Sequence, residues 1–185
     1  MVTSREPGVA VGEVEVKRDI YFGPFYGGRW PPVGQLEPFF LAPKGQEWSY
    51  DGGNDSWGMG VKGLAGTDGL PEIDQVKVTL YMFGNPDLGV YLAFKKWDGR
   101  IRHGYYYVAK GDLSRIGEFV NTLHGTPLSV GLFIPFREAW KAVKEFMETD
   151  GKLPESIEWI AADDLPPETF PVPKPPSMQQ RTSPP

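Results

Sequence analysis

The chain has 185 residues, of which 40% are hydrophobic and 23% charged, and its formal net charge is -5 at pH 7. This length suits one globular domain, and the absence of cysteine excludes disulfides, thiolate metal sites and cysteine nucleophiles. The acidic balance disfavours direct nucleic-acid binding, which needs clustered Lys and Arg, and suits a basic protein partner. No apolar run approaches the length of a membrane span and the N-terminus lacks a signal-like apolar core, so we expect a cytoplasmic protein.

The N-terminal part of the chain shows few sequence patterns that predict regular secondary structure. Residues 1–19 are polar or small, and we expect them to form a flexible N-terminus before a single domain over residues 20–164. Residues 20–70 are rich in aromatic residues and glycine, which predicts short strands and long turns rather than helices. We predict strands at 39–41 and 57–61.

An antiparallel meander is predicted from residue 74 onward. Its strands lie at 76–83, 89–97 and 101–108, and the last two are joined by Asp98-Gly99, a dipeptide typical of tight hairpins. A helix is predicted next, over 113–123, with Asp112 as its N-cap and Gly125 near its end. A fourth strand is predicted at 128–134.

The segment 134–159 predicts a helix, a stop and a strand. Pro135 suits the first turn of a helix, because its missing N–H is a donor that a helix leaves unpaired there. Apolar residues recur after it at three- and four-residue spacing and draw one stripe, which we interpret as core: Phe136, Ala139, Trp140, Val143, Phe146 and Met147. Gly151 can adopt the left-handed conformation that ends a helix, and Pro154 prevents its resumption. Alternation over 156–160 predicts a half-buried strand.

Together these elements predict an α+β fold. An antiparallel meander carries two C-terminal helices packed on one face, and the N-terminal half is loop-rich, aromatic and rich in glycine. The tail over 165–185 contains eight prolines, so we expect it to be extended and disordered.

Motifs of catalysis are not found in the sequence. His103 and His124 are isolated and lack the spacing of a metal site. Gly58, Gly60 and Gly63 match the spacing of a dinucleotide-binding loop, but the preceding strand and following helix that such a loop needs are not predicted. We therefore expect a binding protein without catalytic residues, metal or cofactor, although an enzyme with an unrecognised site stays open.

The segment 134–159 resembles the Imm1 family of bacterial immunity proteins. The likeness covers about residues 75–162, and its specific positions are Pro135, Ala142, Phe146, Gly151, Pro154 and Trp159. The resemblance implies an α+β protein that binds and neutralises a cognate secreted toxin, often a nucleic-acid deaminase or nuclease, in the producing cell. An acidic surface of such a protein would be steered toward the basic cleft of its toxin.

Two surfaces are candidates for partner binding. The first joins aromatic residues to carboxylates in the glycine-rich half: Trp30, Trp48, Tyr50, Asp51, Asp55 and Trp57. The same residues could instead form a second core layer under long loops. The second candidate is an acidic face that could equally be solvated: Glu145, Glu148, Asp150, Glu155 and Glu158. The alternative function is a β-rich carbohydrate- or small-ligand-binding module that uses the loop aromatics as stacking platforms.

Overall fold

The computed structural model describes residues 16–22, 24–48 and 55–171, and these form ten β-strands and two α-helices. The strands are β1 (Lys17–Phe22), β2 (Phe25–Gly27), β3 (Ser56–Leu64), β4 (Val76–Asn85), β5 (Gly89–Asp98), β6 (His103–Ala109), β7 (Phe119–Asn121), β8 (Pro127–Ser129), β9 (Phe133–Ile134) and β10 (Trp159–Ala161). The helices are α1 (Val33–Leu41) and α2 (Phe136–Glu148).

An antiparallel sheet forms the centre of the fold. Its strands lie in the order β10-β6-β5-β4-β3-β1-β2, and β9 pairs with the first residues of β5. β7 and β8 form a separate hairpin. Strands β3 to β6 are neighbours in chain order, and burial alternates along β4, as in a sheet with one packed face. The predicted α+β class with an antiparallel meander is confirmed.

The predicted helix of segment 134–159 is confirmed as α2. All residues of the predicted apolar stripe are buried, and Ala142 is buried beside them. The helix ends in a Schellman-type motif, in which the N–H of Gly151 donates to the carbonyl of Phe146 at 2.9 Å. Gly151 has the predicted positive φ of 89°, and Asp150 before it is also left-handed, with φ 52°.

The prediction of a strand at 39–41 is wrong, because these residues end the helix α1. Leu36 and Phe40 lie one helical turn apart, and both are buried. The Phe40 ring lies 5.3 Å from that of Trp140 on α2, so the two helices pack together. This packing outweighs the helix-breaking tendency of Pro38 inside α1.

The prediction of a helix over 113–123 is also wrong. Only one 3-10 turn forms there, Leu113–Arg115, and Asp112 caps it by accepting a hydrogen bond from the N–H of Ser114 at 3.1 Å. Gly117 then interrupts the apolar periodicity, and glycine costs about 1 kcal/mol in a helix interior. The residues that follow pair as β7 and β8. Of the two predicted C-terminal helices only α2 forms, and the other α-helix of the described residues, α1, precedes the meander.

Several predicted boundaries shift by a few residues. The β5–β6 hairpin has a four-residue loop, because Asp98 pairs with His103, so it is not the predicted two-residue turn. The predicted strand at 128–134 is split into β8 and β9 by a 3-10 turn at Val130–Leu132. The strand predicted at 156–160 begins at Trp159.

The described fold extends past the predicted domain limits at both ends. β1 begins at Lys17, within the segment that we expected to be flexible. Leu165 is buried and the Phe170 ring lies 6.0 Å from that of Tyr106, so the first residues of the predicted tail pack on the sheet. Residues 172–185 lie outside the described part.

Hydrophobic clusters lie on both faces of the sheet. The larger cluster fills the space between the sheet and the two helices, and Trp57, Phe40 and Phe146 are its largest fully buried side chains. The smaller cluster covers one end of the opposite face and includes Tyr91 and Leu165. The rest of that opposite face is lined by exposed and half-buried side chains.

Candidate functional site

Two of the predicted partner anchors are core residues. Trp57 is 0% and Trp48 is 3% exposed, and their rings lie 5.4 Å apart in the larger cluster. Side chains at this depth cannot contact a partner at the surface, so the interpretation of Trp48 and Trp57 as surface anchors is corrected to a core role. The alternative function, a sugar- or small-ligand-binding module with loop aromatics, loses the same two platforms.

Of the other predicted anchors, Trp30 and Asp55 make contacts within the chain, and two lie in a segment outside the described residues. Trp30 is half-buried, its indole N–H donates to the carbonyl of Asp19 at 2.8 Å, and its ring lies 5.5 Å from that of Phe146. Asp55 accepts a hydrogen bond from the N–H of Leu123 at 2.8 Å. The residues Tyr50 and Asp51 lie outside the described part, so the partner role of this set stays a prediction.

The acidic face after α2 is held mainly by internal contacts. The carboxylate of Glu145 accepts hydrogen bonds from the N–H groups of Glu155 and Ser156, each at 2.9 Å, and these bonds lower its pKa. Ion pairs join Glu148 to Lys144 at 3.8 Å, Asp150 to Arg18 at 2.6 Å and Glu158 to Lys110 at 2.7 Å. These contacts neutralise much of the charge that was expected to guide a partner.

A different surface emerges on the side of the sheet opposite the helices. We call it the open face, and its residues alternate along β1, β3, β4, β5 and β6 with residues of the larger cluster. Its members are Lys17, Asp19, Tyr21, Lys62, Lys77, Thr79, Tyr81, Lys95, Trp97 and Tyr106, all of which are exposed or half-buried. Strand register places them in rows, because Asp19 pairs with Gly60, Gly60 with Thr79, Thr79 with Lys95, and Lys95 with Tyr106.

The glycines of β3 make room for side chains of the open face. A Cβ atom on Gly58 would collide with the ring of Tyr21, and one on Gly60 with the carboxylate of Asp19. Two of the three glycines that match a dinucleotide-loop spacing therefore let β1 side chains lie across β3. Burial, together with nearby Tyr81 and Asp19, raises the pKa of Tyr21 to about 12.

Lys95 lies at the centre of the open face between two aromatic rings. Its Nζ is 5.0 Å from the ring centre of Tyr81 and 4.9 Å from that of Tyr106, which is the geometry of cation–π contacts. The hydroxyl groups of Tyr106 and Tyr91 lie 3.1 Å apart in a hydrogen bond that holds the Tyr106 ring. Within residues 16–22, 24–48 and 55–171, Lys95 forms no ion pair with a carboxylate.

The open face is more basic than the chain as a whole. Lys62 and Lys77 share one carboxylate, that of Glu72, at 3.2 and 3.3 Å. Their hydrogen bonds lower the pKa of Glu72, so it stays ionised. The four lysines of the open face thus outnumber the carboxylates of Asp19 and Glu72. This face therefore carries an excess of positive charge, although the whole chain has a net charge of -5.

Neither histidine has a contact that suggests catalysis. His103 is exposed at the β5–β6 hairpin, and its ring packs edge-on against Tyr105 at 4.6 Å. His124 is exposed in the turn between β7 and β8. Among the described residues, no group of three or more His, Cys, Asp or Glu could hold a metal ion. The helices in this part of the chain are too short or too polar to cross a membrane.

Comparisons with protein-family models, curated proteins and solved structures found no match. Sequence reasoning missed the open face although it predicted most of its strands. The sequence signal of the open face was the polar and aromatic residues that alternate with apolar ones along 76–83.

Proposed function

We propose that this chain is an immunity protein, which binds and neutralises a cognate secreted toxin of the nucleic-acid deaminase or nuclease class. The observation that carries the proposal is the open face, where tyrosine, tryptophan and lysine side chains share one sheet surface. The resemblance of segment 134–159 to the Imm1 family adds independent support.

The composition of the open face suits a protein interface. Binding energy in protein interfaces is concentrated in a few residues, and tyrosine and tryptophan are enriched among them. Tyr21, Tyr81, Tyr106 and Trp97 present apolar rings on paired strands, so little conformational freedom is lost when a partner covers them. The indole N–H of Trp97 already donates to the carbonyl of Ile73 at 2.8 Å, which fixes that ring.

The charge of the open face indicates which side of a toxin it would contact. A toxin that acts on nucleic acid has a basic cleft for phosphate groups, and a lysine-bearing face would be repelled there. The same lysines would attract an acidic surface and speed up association. We therefore propose that the open face binds an acidic surface of the toxin outside its phosphate-binding cleft.

Co-expression tests the proposal in cells. The chain is produced together with the C-terminal toxin domain encoded by the adjacent gene, and we expect growth to be restored. A toxin domain of an unrelated type serves as the control, and its toxicity should persist. Lack of rescue by well-expressed, folded chain, together with lack of a complex in size-exclusion chromatography, would refute the proposal.

A further inference from the structure

A cavity lies on the helix side of the sheet, beyond the C-terminal end of α2. We call it the apolar cleft; its volume is about 620 Å³ and its apolar lining includes Leu64, Val76, Val78, Phe94, Tyr107 and Leu153. The cleft exists because the sheet is longer than its helical cover. A strand of ten residues such as β4 spans roughly 33 Å, whereas the thirteen residues of α2 span roughly 20 Å.

Cationic side chains stand at the rim of the apolar cleft. Lys96, Arg100 and Lys152 line it together with a single carboxylate, that of Asp150. Asp150 is bound by Arg18 at 2.6 Å, and Arg100 is bound by Asp98 at 2.6 Å.

Two ammonium groups therefore remain available at the rim. Within the described part of the chain, Lys96 and Lys152 form no ion pair with a carboxylate. The Nζ of Lys96 lies 5.6 Å from the ring centre of Tyr105, beside the cleft. Apolar walls and the positive charge of these two lysines thus meet in one site, and the carboxylate of Asp98 interacts with Lys96 only at longer range than an ion pair.

We propose that the apolar cleft binds a small amphipathic anion, a molecule with an apolar body and one carboxylate-like group. Its volume falls in the range of small-molecule sites, which are lined mainly by apolar side chains with a few placed polar groups. The body would displace water from the half-buried Leu64, Tyr107 and Leu153, and the anionic group would pair with Lys96 and Lys152. This inference goes beyond the proposed function and does not depend on it.

Calorimetric titration of the full chain with decanoate, below its micellar concentration, tests the inference. We expect saturable binding of one decanoate per chain, and binding of decanol weaker by about tenfold because it lacks the charge. Inorganic phosphate, which has charge without an apolar body, should not bind. Absence of saturable decanoate binding, or equal affinity for decanol, would overturn the inference.

Variants locate the binding to the apolar cleft. Replacement of both rim lysines, Lys96→Ala with Lys152→Ala, should weaken decanoate binding by about tenfold and leave decanol binding unchanged. Leu153→Trp should fill the cleft and abolish binding of both. Lys95→Ala, on the opposite side of the sheet, is the matched control and should bind decanoate as the wild type does. If the double variant Lys96→Ala with Lys152→Ala binds decanoate with wild-type affinity, the site is not this cleft.

Discussion

The indole ring of Trp48 lies directly against the backbone of Gly84, near the end of β4, and leaves no room for a Cβ atom there. The carbonyl of Asp55 accepts hydrogen bonds from both residues, from the indole N–H of Trp48 at 3.2 Å and from the backbone N–H of Gly84 at 3.1 Å. Trp48 thereby anchors the segment that follows α1 onto the sheet.

Replacement of Gly84 by alanine should therefore destabilise the fold. The added Cβ would push the Trp48 ring out of a packed core, and overpacking of this kind costs about 1–3 kcal/mol. The free energy of unfolding in urea measures the effect. Gly69→Ala is the control, because a Cβ at Gly69 would meet no atom within 4 Å. Equal stability of the two variants would contradict the packing.

The left-handed conformation of Asp150 predicts an unusual order of stability among its variants. A non-glycine residue in this conformation costs about 1 kcal/mol, and the exposed ion pair to Arg18 returns at most about 1 kcal/mol. Asp150→Gly removes both terms and should change the melting temperature little. Asp150→Ala keeps the strain and loses the ion pair, so it should melt at a lower temperature than Asp150→Gly. A higher melting temperature for the alanine variant would show that the strain is absent.

Asp98 should make the fold sensitive to acid. Arg100 donates hydrogen bonds to both carboxylate oxygens, at 2.9 and 2.6 Å, and holds the pKa of Asp98 at about 2. Since an unfolded aspartate has a pKa of about 3.9, the ionised carboxylate stabilises the fold above that pH. This stabilisation is lost as the pH falls from about 4 toward 2.

Asp98→Asn tests this dependence. The variant should be less stable than the wild type at pH 7, and its urea midpoint should fall less between pH 4 and pH 2, because no carboxylate is left to protonate at this position. Asp87→Asn, in the exposed turn before β5, is the control and should follow the wild type. If the urea midpoint of Asp98→Asn fell between pH 4 and pH 2 as much as that of the wild type, the assigned role of Asp98 would be ruled out.

The sequence predicted those elements whose pattern is set locally. Alternation along β4 and the apolar stripe of α2 each show one buried face within a few residues. α1 was missed because its apolar residues, such as Phe39 and Phe40, stand among prolines and glycines that favour turns. Its helix depends on packing against α2, which lies about a hundred residues later in the chain.

The candidate site was harder to predict than the fold. Composition places Trp48 and Trp57 in a glycine-rich region, but it does not show that α1 covers them. The open face likewise depends on which side of the sheet the helices occupy and on how far Leu165 and Phe170 cover the other side. The burial of the two tryptophans and the exposure of the open face both depend on contacts between residues far apart in the chain, which the periodicity of a local segment does not show.

The affinity of the purified chain for its proposed partner, a toxin domain encoded beside it, with and without Lys95→Glu, tests the central claim most directly. Reversing this charge at the centre of the open face should weaken binding by about tenfold or more, because it would repel an acidic partner surface and lose both ring contacts. Lys44→Glu, in the exposed turn after α1, makes the same charge change elsewhere and should bind as the wild type does. Thermal unfolding confirms that both variants are folded. Wild-type affinity in Lys95→Glu would contradict the assignment of the open face as the partner-binding surface.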